Sequence, residues 1–117
     1  MVNTTSEVFP HKIRIVKSSD YRMLYREGRK IQSERFVLFG RENGIGHHRL
    51  GITVSRKVGG AVVRNRIKRM FREIFRRSTV DIPSQYDIVV NAKSACVGAG
   101  YLELRAEFLT SVRRLCR

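Results

Sequence analysis

The sequence predicts a single-domain α+β fold, an α-β sandwich in which helices cover a small central sheet. Three observations carry that prediction. Apolar residues recur at helical spacing in three stretches, 18–27, 61–77 and 100–115. Between them lie three short runs rich in β-branched and aromatic residues, 35–39, 49–55 and 86–90, which read as strands. Finally, 117 residues are enough for one core and too few for two, and neither a repeat nor a linker divides them.

Taken in order, residues 1–12 are polar, include Glu7 and lack an apolar stretch, so they read as a flexible N-terminal arm and not a secretion signal. Ser18-Ser19-Asp20 offers N-cap chemistry to the first helix. Tyr21, Leu24 and Tyr25 follow at i, i+3 and i+4, and Gly28 provides the stop. In the first strand Val37 and Phe39 share one face, so Phe36 must point to the other. Residues 41–48, with Gly44 and Gly46, form a turn. The second strand then places Leu50, Ile52 and Val54 on one face, and the two strands are expected to pair as an antiparallel hairpin.

Gly59-Gly60 breaks the chain before the central helix. At 100° per residue Val63, Ile67, Met70, Phe71 and Ile74 fall within an arc of about 100°, a core-facing stripe. Arg64, Asn65, Lys68, Arg69, Arg72 and Arg76 occupy roughly 140° away from it. Pro83 lies in the next loop, and Tyr86-Asp87-Ile88-Val89-Val90 is apolar enough to be buried on both faces. After a flexible link at 94–100, the last helix carries Tyr101, Leu104, Phe108, Val112 and Leu115 at helical spacing.

With 42% hydrophobic and 29% charged residues, the composition is that of a globular chain, not a disordered one. No run of 18 apolar residues could form a membrane-spanning helix. Cys96 and Cys116 lack both CxxC spacing and the density of a disulfide framework, and they read as reduced thiols of a cytoplasmic protein. His47 and His48 are adjacent, cannot share a face, and read as a solvated loop pair with no zinc site.

The net charge of +14 calls for an acidic partner, with nucleic acid first. The 22 residues from Arg56 to Arg77 hold nine Lys or Arg against Glu73 alone, +8 of that total. Arg64, Lys68 and Arg72 are like charges at i, i+4, which repel by a few tenths of a kcal/mol per pair. A helix that tolerates this expects an anion to relieve it. Asn65, between Arg64 and Arg66, adds an amide that can meet a ribose hydroxyl or a base edge. Tyr21 and Tyr25 share a helix face and form, beside Arg22, Arg26 and Arg29, a candidate stacking platform for unpaired bases. There is no GxxxxGK[ST], no GxGxxG and no Gly-x-Ser-x-Gly, and no acidic cluster could hold Mg²⁺ alone. Catalytic residues are therefore not expected in the protein.

The stretch from Arg49 to Glu73, with its Gly-Gly turn followed by Ala-Val-Val-Arg-Asn-Arg-Ile-Lys-Arg-Met-Phe-Arg-Glu, closely resembles the bacterial ribonuclease P protein component. The resemblance extends over roughly 14–92, through Arg14-Ile15, Asp20-Tyr21, Leu24-Tyr25, Gly28, Phe36-Val37-Leu38-Phe39 and Tyr86 to Val90. It implies the protein subunit of a ribonucleoprotein endonuclease that removes the 5′ leader of precursor tRNA, with catalysis by the RNA subunit and Mg²⁺ held mainly by RNA. It also implies an α-β sandwich of the ribosomal protein S5 domain 2-like type, its sheet mainly antiparallel, with a left-handed β-α-β crossover through the basic helix.

By position in the resemblance, Arg56, Lys57, Arg64, Asn65, Arg66, Lys68, Arg69 and Arg72 would contact the RNA subunit, and Tyr21, Tyr25, Val37 and Phe39 would line the leader cleft. The family more often has Phe at the first two cleft positions, so both hydroxyls are departures, expected to leave stacking intact and to be hydrated. The alternative from charge and layout alone is a non-catalytic ribosomal or other structural RNA-binding protein. A DNA-binding module would want a helix-turn-helix partner, and Gly59-Gly60 after a strand is the wrong lead-in. The partners expected are the RNA subunit and precursor tRNA, with neither membrane nor DNA.

Overall fold

The computed structural model describes residues 11–82 and 85–117. Three helices, α1 (Ser18–Glu27), α2 (Ala61–Arg77) and α3 (Tyr101–Leu115), surround a sheet of β1 (Arg29–Gln32), β2 (Phe36–Glu42), β3 (Arg49–Val54) and β4 (Tyr86–Ala92). The sheet order is β1-β2-β4-β3. The β1–β2 and β2–β4 pairs are antiparallel, and β3–β4 is parallel. The sheet is mixed and α2 is the crossover between its two parallel strands. Most of the expected N-terminal arm, and Pro83, lie outside the described residues; at His11–Ile13 the chain makes a short 3-10 turn.

Two expectations about the sheet are corrected. The strands at 36–42 and 49–54 are not a hairpin, because β4 lies between them. Ile88, Val89 and Val90 are each 0% exposed, so this strand needs cover on both faces and neighbours on both edges, which only a central position provides. β1 was not anticipated: Arg29-Lys30-Ile31-Gln32 buries only Ile31, and one apolar residue has no period. Its charged residues suit an edge strand.

The central helix spans 61–77 as expected and buries Ile67, Phe71, Ile74 and Phe75. With α3, it packs on the sheet face formed by Phe36, Leu38, Leu50, Ile88 and Val90. Phe71 meets Phe36 edge-on at 5.4 Å, and Phe108 of α3 lies 6.5 Å from Phe71. Truncating a ring buried this way costs about 3–5 kcal/mol. Phe75, at the margin of the basic arc, was missed as core. It is covered by His48, whose ring stands edge-on at 4.9 Å. The histidine pair is thus half-buried, not solvated, and burial, then His47, pushes the His48 pKa down.

The first helix spans 18–27, but Lys17 occupies the N-cap position and makes no side-chain cap. Ser18 is already helical, and Asp20 in the first turn turns to Arg49 at 3.5 Å. Cys96 is buried and donates to the Arg35 carbonyl at 3.1 Å; burial pushes its thiol up to about 11, which leaves an inert apolar side chain.

Candidate nucleic-acid interface

The second face of the sheet carries three cross-strand rows set by the register: Arg41–Asp87–Arg49, Phe39–Val89–Gly51 and Val37–Asn91–Thr53. α1 lies over the middle row, where Ile15, Leu24 and Val89 form a small core with Tyr21 and Phe39 against it. The first row is closed by charge: Arg49 grips Asp87 with Nε at 2.9 Å and Nη2 at 2.7 Å, and Asn43 donates to the same carboxylate. The third row carries no such clamp. Beside it opens a hollow of about 300 Å³ lined by Ser18, Tyr21, Arg22, Tyr25 and Thr53.

All four predicted cleft residues sit on this face, and Phe36 faces the core at 0% exposure. Tyr25 is 41% exposed and meets Phe39 edge-on at 4.9 Å, with Tyr21 at 6.4 Å. Lys30 places its ammonium 5.9 Å from the Phe39 ring. Rings in this setting offer π-faces to unpaired bases, with cations nearby for phosphates.

Each tyrosine hydroxyl donates to an acceptor of the protein itself. Tyr21 donates to the Ile15 carbonyl at 3.2 Å, and Tyr25 donates to Asn91 Oδ1 at 3.0 Å. The Tyr21 ring reaches this position because residue 51 is glycine: a Cβ there would stand 2.6 Å from the hydroxyl. Burial, then Tyr25, pushes the Tyr21 pKa up.

The cations come from the turn after β3 and from α2. Arg56 and Lys57 are exposed in that turn, and Asn65 and Arg66 are exposed near the start of the helix. No acid lies in the first turn of α2, so the positive end of the helix adds to Arg64 and Arg66 instead of being offset. Arg64 is half-buried, and its Nε is buried without a partner among the described residues. Arg69 is exposed, and Lys68 and Arg72 are half-buried. No ion pair to a carboxylate engages Arg64, Arg66, Lys68, Arg69 or Arg72 among the described residues. Arg76 and Arg77 differ, because Glu73 holds both.

The two surfaces meet at Arg72. A pocket of about 230 Å³ is lined by Arg14, Ile15, Tyr21, Gly51, Ile52 and Arg72. Burial first, then Arg14, lowers the Arg72 pKa. Sequence reasoning assigned Arg72 to the basic helix and Tyr21 to the cleft without bringing them together. It also missed Thr53 and Asn91, polar residues within strand runs whose pairing only the register reveals. Among the described residues no group of three His, Cys, Asp or Glu could hold a metal, and no helix is long and apolar enough to cross a membrane.

Comparison with known proteins agrees with this fold. The family model for ribonuclease P matches residues 9–116. The ribonuclease P protein component of Thermotoga maritima is 45% identical over 85 residues, 73% of each chain. That of Alkaliphilus oremlandii is 32% identical over 102 residues, 87% of this chain and 90% of the relative. Among solved structures, a Staphylococcus aureus RNase P protein mutant with defective mRNA degradation activity aligns with a TM-score of 0.85 at 32% identity, over 97% of both chains. Matched over nearly its whole length in sequence and in fold, the chain belongs to the ribonuclease P protein family.

Proposed function

We propose that this chain acts in the cytoplasm as the protein subunit of a ribonuclease P holoenzyme. Arg56, Lys57, Arg64, Asn65, Arg66, Lys68, Arg69 and Arg72 bind the RNA subunit, and Tyr21, Tyr25, Val37 and Phe39 hold the single-stranded 5′ leader of precursor tRNA. The observation that carries this reading is the junction at Arg72: a cationic helix face and an aromatic sheet face share one pocket wall. A leader in the cleft then lies beside RNA bound along α2, which fixes the scissile bond relative to the RNA.

The protein's own chemistry is binding and orientation. Mg²⁺ supports phosphodiester hydrolysis in the holoenzyme, and this face does not fit it as a resident ion. Glu73, the only carboxylate of α2, is occupied by Arg76 and Arg77. Mg²⁺ is therefore assigned to the RNA, which leaves the protein to neutralise phosphates and stack bases.

The test is cleavage of precursor tRNA at physiological Mg²⁺, with the RNA subunit and with or without this protein. The protein should raise cleavage, and Tyr25→Ala should weaken leader-bearing precursor by roughly 1–3 kcal/mol, the worth of one stacked base, with less effect on mature tRNA. Equal losses on both RNAs would remove the cleft assignment.

A further inference from the structure

We propose that Asn91 reads a leader base in the cleft, and that the hydroxyls of Tyr25 and Thr53 hold its amide as a hydrogen-bond donor only. This rests on the leader-cleft reading and adds base selectivity to it.

Asn91 lies at the end of the β4 apolar run, in the centre of the Val37–Asn91–Thr53 row on the open face. Tyr25 donates to Asn91 Oδ1 at 3.0 Å, and the Thr53 hydroxyl donates to the same oxygen. An amide oxygen has two lone pairs, and both are now taken. Nδ2 keeps two hydrogens, and no described group accepts from them. Two side chains from different elements thus converge on one end of the amide, beside the hollow that Tyr25 and Thr53 line, and leave the other end without a protein acceptor among the described residues.

The chemistry of the outcome is specific. An asparagine usually reads adenine with both ends of the amide, accepting from N6 and donating to N7. Here the accepting end is occupied. A donor-only amide fits bases that present acceptors at that edge, the O6 and N7 of guanine or the O4 of uracil. Against adenine it keeps only the bond to N7 and loses the one to N6, and cytosine presents an amino donor at that edge. A base stacked on Tyr25 brings its edge to this amide, because the hydroxyl that holds the amide belongs to the stacking ring. The two tyrosine hydroxyls also divide the work: Tyr21 ties α1 to the Ile15 backbone, and Tyr25 orients the reader. Tyr25 and Thr53 are positioning residues in this scheme, and Asn91 is the specificity residue.

The experiment measures precursor-tRNA affinity for the holoenzyme reconstituted with its RNA subunit, with each leader position in turn carrying all four bases. At one position guanine and uracil should bind roughly five- to tenfold tighter than adenine and cytosine, the low end of the worth of a base contact. Asn91→Ala should abolish that ranking. Tyr25→Phe and Thr53→Val each release one lone pair of Oδ1 and should draw the ranking toward one, with adenine gaining most. A purely structural role for the two hydroxyls would lower affinity for all four bases alike and leave the ranking in place. If no leader position ranks the bases, or if Asn91→Ala preserves the ranking, the proposal falls. A persisting preference for precursor over mature tRNA would then show that the cleft still holds the leader. Loss of that preference as well would place the failure in the cleft reading itself.

Discussion

Along its front, from Arg64 to Arg72, α2 presents Arg64, Arg66, Lys68, Arg69 and Arg72 without a carboxylate ion pair among the described residues. At its rear, Arg76 places Nε at 3.1 Å and Nη2 at 2.7 Å from Glu73, and Arg77 closes on the same carboxylate from the next position. The residue types are the same; their availability is not. A carboxylate three or four residues ahead of an arginine neutralises it within the helix, and the front has no such residue. The cost of the unpaired front is repulsion of a few tenths of a kcal/mol per like pair, small beside the burial of Phe71 and Phe75 that holds the helix to the sheet. The core thus supports a charge pattern that the helix alone would resist. Positive charge counted along a sequence therefore overstates what a phosphate can meet.

The contrast can be broken or sharpened by experiment. The largest effect is expected from Arg64→Ala with Arg66→Ala, which should weaken RNA-subunit binding roughly ten- to hundredfold and make the salt dependence of log K shallower by about 1.5 to 2. Unchanged affinity and slope would show that the front is merely solvated. Next, Glu73→Gln should release both rear guanidinium groups and tighten RNA binding by roughly three- to tenfold, with a steeper salt slope. A weaker complex would mean that the clamp serves binding by ordering the helix end. Arg76→Ala with Arg77→Ala should cost less than about threefold, and a loss as large as that of the front pair would erase the distinction.

The smallest effect concerns pH. The hydrogen bond from Arg76 is the main cause holding the Glu73 carboxyl below its ordinary value of 4.5; burial opposes it, and Arg77 adds to it. A depressed carboxyl stabilises the folded state fully above its unfolded pKa, and that contribution is lost as pH falls through the folded pKa. The clamp should therefore stay closed down to about pH 4.5 and open only below it. A carboxyl titration followed by NMR checks this, and a Glu73 midpoint at or above the ordinary value would show that the rear arginines are as available as the front ones.

Much of the candidate interface is legible in the sequence, for local reasons. Tyr21 and Tyr25 share a face because they are four residues apart in a helix, and Val37 and Phe39 because they are two apart in a strand. The acceptors of the two tyrosine hydroxyls, the Ile15 carbonyl and Asn91, could not be read locally because they lie on segments that meet α1 only in the folded chain. His48 was misjudged for the same reason, since Phe75 lies 27 positions away in the sequence and covers it through packing.

By itself the sequence determined the helices at 18–27 and 61–77, the separation of an apolar stripe from a basic face on α2, and a motif that resembles one family. These depend on periodicity and spacing within about five turns of chain, which side-chain order expresses directly. Tertiary structure alone decided that β4 separates β2 from β3, that a four-residue β1 completes the sheet, that Tyr21 and Arg72 share a pocket, and that Asn91 sits between Tyr25 and Thr53. Strand order and register follow from which faces must be buried at the same time. That is a property of the whole core, and no local run of residues contains it.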